Sequence, residues 1–429
     1  MKVIYNPPSE TWKALCSRPQ MDQEVLDPVI RRILSDVRLK GDQALTDLTL
    51  EFDGVRLRSL SLTSEEIKGA VETLDDRLKA AMGTAAKNIE AFHASQIKES
   101  KAIETMPGVT CWRKAVPIDK VGIYIPGGSA PLFSTVLMLG IPARLAGCGE
   151  VVLCTPPDKQ GNVNPAILYA ARLAGITQIF RVGGAQAVAA MAYGTASVPQ
   201  VYKIFGPGNQ FVTRAKQLVS EEGIAIDMPA GPSEVLVVAD GTANPAFVAA
   251  DLLSQAEHGA DSQVMLVALS DVNIQAIQAE VDRQLKDLPR RDIAAKALEN
   301  SRIVVFDTID MAIKFSNAYA PEHLIINTVN ASSLAERVVN AGSVFLGAWT
   351  PESAGDYASG TNHTLPTNGY ARAFAGVSLD SFLKYITFQE ITEEGIRAIG
   401  PVVETMAEAE SLQAHRTAIT KRLEYLNRN

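Results

Sequence analysis

Histidine is the commonest metal ligand and the usual proton carrier near neutral pH. This chain holds five in 429 residues, and four of them lie beyond residue 250. The first sits in NPAFVAADLLSQAEHGAD, where Asn244 fits a helix N-cap, Pro245 the first helical position and Gly259 the residue past the end. Gln255 and His258 are three apart and share a helix face, a spacing that suits two donors to one metal and equally a structural face. The second segment is APEHLII, in which Pro321 stops a helix and Glu322-His323 stands at the mouth of an apolar strand. In a loop both side chains reach one cleft and suit proton transfer; in a strand they face opposite ways, an exposed Glu beside a half-buried His. The third, TPESAGDYASGTNHTLPT at 350–367, surrounds Asp356 and His363 with small residues. A flexible polar loop of that kind serves binding better than it serves a core. In the fourth, AEAESLQAHRTAITKRL, Glu410 and His415 are five apart. They converge only if the helix breaks at a Ser411 cap; otherwise they decorate a surface helix. His93, in an amphipathic helix, reads as structural.

These side chains need a frame. Up to about residue 115 the chain reads mostly as helix, with Ile30, Ile33, Leu34 and Val37 and then Ile67, Val71 and Leu74 at helical spacing. From 120 onward short apolar runs alternate with helical ones. Strands are predicted at 121–125, 151–154, 178–182 and 202–205, with helices near 131–146, 165–174, 185–193 and 209–220. A second series follows, with strands at 234–240, 263–269, 302–306, 323–328 and 343–347 and helices at 245–258, 271–286, 309–319 and 331–341. Such alternation builds βαβ units and parallel sheets. The fold class is therefore α/β, with two Rossmann-like, doubly wound, mostly parallel domains and helical N- and C-terminal extensions. The predicted limits are an N-terminal arm at 1–22, a first α/β domain at 23–119 plus 235–380, a second at 120–234, and a helical region at 381–429.

Three strand ends in the 120–234 region run into glycine: Gly127-Gly128-Ser129, Gly183-Gly184 and Gly206-Pro207-Gly208-Asn209. Glycine before a helix lets backbone N–H groups approach an anion, and the helix N-terminus adds a favourable field. Any one is explained as a tight turn; three at one sheet edge imply an anionic ligand. Neither GxGxxG nor a Walker A motif is present.

Composition sets the class. Hydrophobic residues make up 47% and charged residues 21%, which supports a full core, and the net charge of −8 argues against nucleic acid or anionic membrane as partner. No apolar stretch reads as a signal peptide or a membrane span. Four cysteines without a CxxC pair point to reduced thiols and a cytoplasmic protein.

The segments VGIYIPGGSAPLFSTVLMLGIPA, VGGAQAVAAMAYGT, KIFGPGNQFVT, AIDMPAGPSEVLV, ADLLSQAEHG, PEHLII and GSVFLGAWTPESAGDYASGTNHTLPT together resemble the histidinol dehydrogenase family. The likeness runs from about 120 to 367 and includes Glu410 to His415. It implies oxidation of L-histidinol to L-histidine through the aldehyde, with two NAD⁺ and one zinc per subunit. Carried over by position, the zinc ligands are Gln255, His258, Asp356 and His415, and Ser233, His363 and Glu410 join them and His323 in contacting substrate. His323 is the general base, Glu322 activates water for the second oxidation, and Tyr124, Gln186 and Asn209 contact NAD. The resemblance also implies a homodimer in which the C-terminal region completes the partner's site.

Three rival readings remain. A covalent mechanism would use Cys111, Cys148 or Cys154 as nucleophile, yet none has a flanking histidine. A different small polar alcohol could be the substrate. A regulatory protein binding metal and nucleotide would form no NADH.

Overall fold

The computed structural model describes residues 1–19, 23–127, 131–229 and 231–428. Gly128 and Ser129 of the first glycine turn and Ala230 of the MPAGPSE segment lie outside the described residues. The chain divides into one unit of Met1–Gln96 with Ile118–Phe382 and another of Ile97–Pro117 with Leu383–Asn429.

The first unit holds two parallel sheets. The larger has six strands, in the order Lys2–Tyr5, Arg302–Phe306, Gln263–Leu269, Glu234–Ala239, His323–Asn327 and Ser343–Leu346. Glu234–Ala239 is buried at every position, because helices cover both faces. Helices Pro245–Ala256, Ile274–Leu285 and Arg291–Glu299 pack on one side through Val248, Ile277 and Ala294. Helix Ile309–Tyr319 packs on the other through Phe315 and Tyr319.

The smaller sheet runs Gln178–Arg181, Glu150–Thr155, Lys120–Tyr124, Lys203–Phe205 and Ala225–Ile226, all parallel. The chain steps outward from Lys120–Tyr124 through two strands, then returns to pair Lys203–Phe205 on the other side. That reversal opens a crevice at the strand C-termini, where doubly wound sheets bind ligands. Helices Gln23–Lys40, Asp42–Asp53, Gly184–Tyr193 and Gln210–Glu221 cover one face. Ser64–Glu72, Asp76–Ala94, Phe133–Ala146 and Pro165–Ala174 cover the other.

The second unit departs from the helical reading of its sequence. Residues 383–391 form a strand that pairs antiparallel with Val109–Pro117, which pairs in turn with Ile103–Met106. Leu383–Ile391 is exposed almost throughout, so it shows no clean alternation, but Phe388 stacks on Trp112 across the pair. Helices Glu393–Ala409 and Gln413–Arg428 pack against each other. Among the described residues no helix is long and apolar enough to cross a membrane.

Candidate active site

The glycine turns of the smaller sheet meet at one cavity of about 460 Å³, lined by Tyr124, Gln186 and Asn209 together with Gly127, Gly184 and Asp53. Tyr124 ends its strand, and its hydroxyl accepts from the Gly184 N–H at 3.1 Å. Gln186 is buried in the first turn of the helix that Gly184 opens. The Asn209 side chain caps the next helix, accepting from Val212 N–H at 3.1 Å. Two helix N-termini thus face one cavity, a natural seat for phosphates. Gly206 is required here for contact distance: a Cβ on it would meet the Tyr124 carbonyl oxygen at 2.0 Å. A buried ion pair, Lys216 with Asp227, clamps the turn, Lys216 Nζ donating to Gly206 O at 2.9 Å and Gly206 N–H to Asp227 at 2.8 Å.

The histidines gather elsewhere, at the N-terminal edge of the larger sheet. Helix Ile309–Tyr319 ends in Ala320 at φ 53°, a left-handed residue that turns the chain through Pro321 into Glu322 and His323. Both side chains are buried. His323 Nδ1–H donates to the Glu234 carbonyl at 3.2 Å, and Nε2 lies 3.4 Å from Asp356 Oδ1. Glu322 and Glu352 stand 3.6 and 3.8 Å from Nδ1. Burial works against a charged imidazole, but Glu352, Glu322 and Asp356 outweigh it and hold the His323 pKa well above the usual range. Glu322 is itself anchored, accepting from the Glu234 N–H at 2.8 Å. Burial pushes the Asp356 carboxyl up, yet His323, His363 and His258 more than offset this and hold it low. Glu352 is driven well up by burial, with Asp356 and Glu322 adding to the effect.

Asp356 and Glu352 share a six-residue helix, Glu352–Tyr357, in a segment whose composition reads as flexible loop. Their i,i+4 spacing puts both on one face. Gln255 lies in the last turn of helix Pro245–Ala256, its amide NH₂ donating to Glu352 and its oxygen accepting from Glu234 N–H at 3.1 Å. His258 follows that helix, exposed, and acts electrostatically on both Asp356 and His363. His363 is locked in one tautomer: Nδ1–H donates to Asp356 O at 2.8 Å and Nε2 accepts from the Thr135 hydroxyl at 2.9 Å. Thr135 belongs to the helix that follows the first glycine turn, so this contact ties the histidine cluster to the helices of the smaller sheet. Ser233 immediately precedes Glu234 at the same strand edge.

One ligand atom each from His323, Glu352 and Asp356 lies within 4.8 Å of the others. His323 Nε2, Asp356 Oδ1 and Glu352 Oε2 are buried without hydrogen-bond partners. Buried polar atoms are normally paired, and imidazole with carboxylate oxygens is a donor set for zinc or a similar cation. Gln255 and His258 stand at a helix C-terminus, whose dipole also favours positive charge. The residues fit a divalent cation. The set gathered by geometry and the set implied by resemblance share Asp356. Glu352 and Glu234 were not singled out from sequence; the Glu352/Asp356 spacing was the available signal for the first.

Glu410 and His415 belong to the second unit. The helix does break between them, with Ser411 at φ 59°, and both are exposed. His93 is fully buried and bonds Ile89 O at 2.8 Å, a structural role. Cys148 and Cys154 are poor nucleophiles: burial pushes the Cys148 thiol up to about 11 and Cys154 further.

The sequence pattern of the histidinol dehydrogenase family matches residues 16–423. The histidinol dehydrogenase of Bacteroides thetaiotaomicron is 61% identical over 426 residues, covering 99% of this chain and 100% of that protein. The chloroplastic histidinol dehydrogenase of Arabidopsis thaliana is 54% identical over 413 residues, covering 96% and 88%. The crystal structure of histidinol dehydrogenase from Elizabethkingia anophelis superimposes with a TM-score of 0.97 at 56% identity, covering 100% of this chain and 99% of that one.

Proposed function

The chain belongs to the histidinol dehydrogenase family, and from that membership we propose that it oxidises L-histidinol to L-histidine through L-histidinaldehyde, reducing two NAD⁺ with the help of one zinc ion per subunit. The observation that carries this reading is the buried edge where His323 stands between Glu322 and Asp356. Gln255, His258 and Asp356 would hold the zinc from this unit, and His415 of a second copy would complete the set, with Glu410 beside it on the substrate. This choice leaves His323 free for proton work. Zinc supplies a template for the substrate's nitrogen donors, and NAD⁺ supplies the hydride acceptor.

His323, in its deprotonated form, takes the hydroxyl proton in the first oxidation. The flanking carboxylates stabilise the imidazolium that results, and the bond to the Glu234 carbonyl fixes the ring so that Nε2 does the accepting. Glu322 withdraws a proton from water as it attacks the aldehyde, held in place by the Glu234 N–H. The His323 imidazolium returns its proton to the aldehyde oxygen as the hydrate forms, and His323 then takes a hydroxyl proton from that hydrate as the second hydride leaves. Ser233 and His363 flank the substrate, with His363 held in a fixed tautomer by Asp356 and Thr135. Tyr124, Gln186 and Asn209 bind the dinucleotide in the cavity they share. The test is NADH yield per histidinol consumed to completion. Two supports the full sequence, one confines the enzyme to a single oxidation, and none overturns the assignment.

A further inference from the structure

The backbone of Glu234 holds both groups assigned to proton transfer. Its N–H donates to Glu322 at 2.8 Å, and its carbonyl accepts from His323 Nδ1–H at 3.2 Å. The same N–H serves the Gln255 amide oxygen at 3.1 Å. A shift of this one residue therefore moves the whole frame. Glu234 is the first residue of its strand and fully buried, so its carboxylate has to be held by protein groups.

The group that holds it comes from the N-terminal arm, 216 residues earlier in the chain. Arg18 Nε and Nη2 donate to Glu234 Oε2 at 3.1 and 2.5 Å. Nη2 also donates to the Tyr319 carbonyl at 2.7 Å, and Nη1 donates to Cys16 O at 2.8 Å. The guanidinium lies 3.6 Å over the Tyr319 ring. Tyr319 ends the helix whose next residues, through Ala320 and Pro321, deliver Glu322 and His323. Arg18 thus bonds the start of one strand to the segment that leads into the next. Only 5% of its side chain and 1% of that of Glu234 are exposed. A buried ion pair adds little net stability over apolar packing of the same volume. What it adds here is direction: a planar fork reaches Glu234, Tyr319 and Cys16 together, which a lysine ammonium cannot do.

Resting on the roles given above to Glu322 and His323, we propose that Arg18 is a positioning residue for that pair. By locking the Glu234 side chain to the Tyr319 backbone it keeps the Glu234 peptide groups aimed at both. Displacing a reacting group by about 1 Å costs on the order of 10²-fold in rate. Alcohol oxidation draws on His323 alone, whereas aldehyde oxidation draws on both groups, so a loosened frame harms the second step more.

Stopped-flow NADH formation from histidinol and, separately, from histidinaldehyde tests this at saturating NAD⁺ and zinc. Rates of wild type and Arg18→Lys are expressed per NAD⁺-binding chain, counted by titration. Arg18→Lys should slow the alcohol step about tenfold and the aldehyde step about 100-fold. A merely structural role lowers the number of competent chains, which the count removes, or slows both steps by one factor; either result overturns the proposal. Arg18→Met combined with Glu234→Gln removes both charges and leaves no buried ion unpaired. The double variant should melt near wild type and show the same unequal loss, even where Arg18→Lys fails to fold. Wild-type rates in the double variant overturn the proposal, and failure of both variants to fold counts against it as the mark of a folding role. A wild type that forms no NADH overturns the functional reading as well, whereas two competent oxidations in wild type with equal losses in the variants overturn the role of Arg18 alone.

Discussion

The two sheets of the first unit carry ligand-facing groups at opposite ends of their strands. The smaller sheet uses its C-terminal edge, as doubly wound folds do. There the chemistry is mostly backbone, from two helix N-termini and a turn in which Gly206 touches Tyr124. The larger sheet uses its N-terminal edge, where strands begin at Glu234 and His323 and helix Pro245–Ala256 ends. There the chemistry is side-chain charge: one imidazole among three carboxylates, with orphaned atoms facing inward. Helix N-termini attract anions and helix C-termini attract cations. On the proposed reading the choice of edge sorts the ligands, with the dinucleotide at one and the metal at the other.

Substitutions should separate the two ends, and the largest effects belong to the charged edge. His323→Asn should slow both oxidations by about 10²–10⁴-fold. Glu322→Gln should leave the alcohol step faster than the aldehyde step, so that supplied histidinaldehyde is turned over poorly in stopped-flow assays. Identical profiles for the two variants would end the division of labour. Next comes the clamp on the nucleotide turn. Lys216→Met strands Asp227 in the interior and should cost about 3–5 kcal/mol in denaturant unfolding. NAD⁺ affinity should fall with it while zinc content stays the same.

A smaller effect follows from Asp53, whose carboxyl is raised from 3.8 to about 6 by burial. A raised carboxyl means that the folded state holds the proton more tightly, so this stability is present below about pH 4 and is lost as pH climbs to about 6. Asp53→Asn should thus be more stable than wild type at pH 7–8 by roughly 1 kcal/mol, after discounting for a half-exposed site, and equal to it below pH 4. The smallest effect is expected at the thiols. Cys111→Ser and Cys148→Ser should each retain most of the activity, since burial raises the Cys148 thiol and neither takes part in the proposed proton transfers. Loss of turnover in either would revive a covalent mechanism.

The same contrast explains what the sequence disclosed. The glycine-turn cavity was legible because its parts are local: strand, glycine turn and helix cap follow one another, and helices such as Pro165–Ala174 carry their caps in Asn164 and Gly175. The two parallel sheets were legible for the same reason. The charged edge draws on Arg18, Glu234, Gln255, Glu322 and Glu352, which no periodicity links. Arg18 pairs with Glu234 at 2.5 Å and lies over the Tyr319 ring, contacts that span hundreds of residues. Glu352 was hidden because its helix is short and rich in small residues. Strand Leu383–Ile391 was hidden because it is exposed and takes its conformation from pairing with Val109–Pro117.

Asp356→Asn, assayed together for bound zinc by atomic absorption and for NAD⁺ affinity by titration, tests the separation of the two ends most directly. One zinc per wild-type chain, lost in the variant, with NAD⁺ affinity kept within about twofold, is the predicted result. Zinc retained at full occupancy, or NAD⁺ affinity lost in step with the metal, would contradict it.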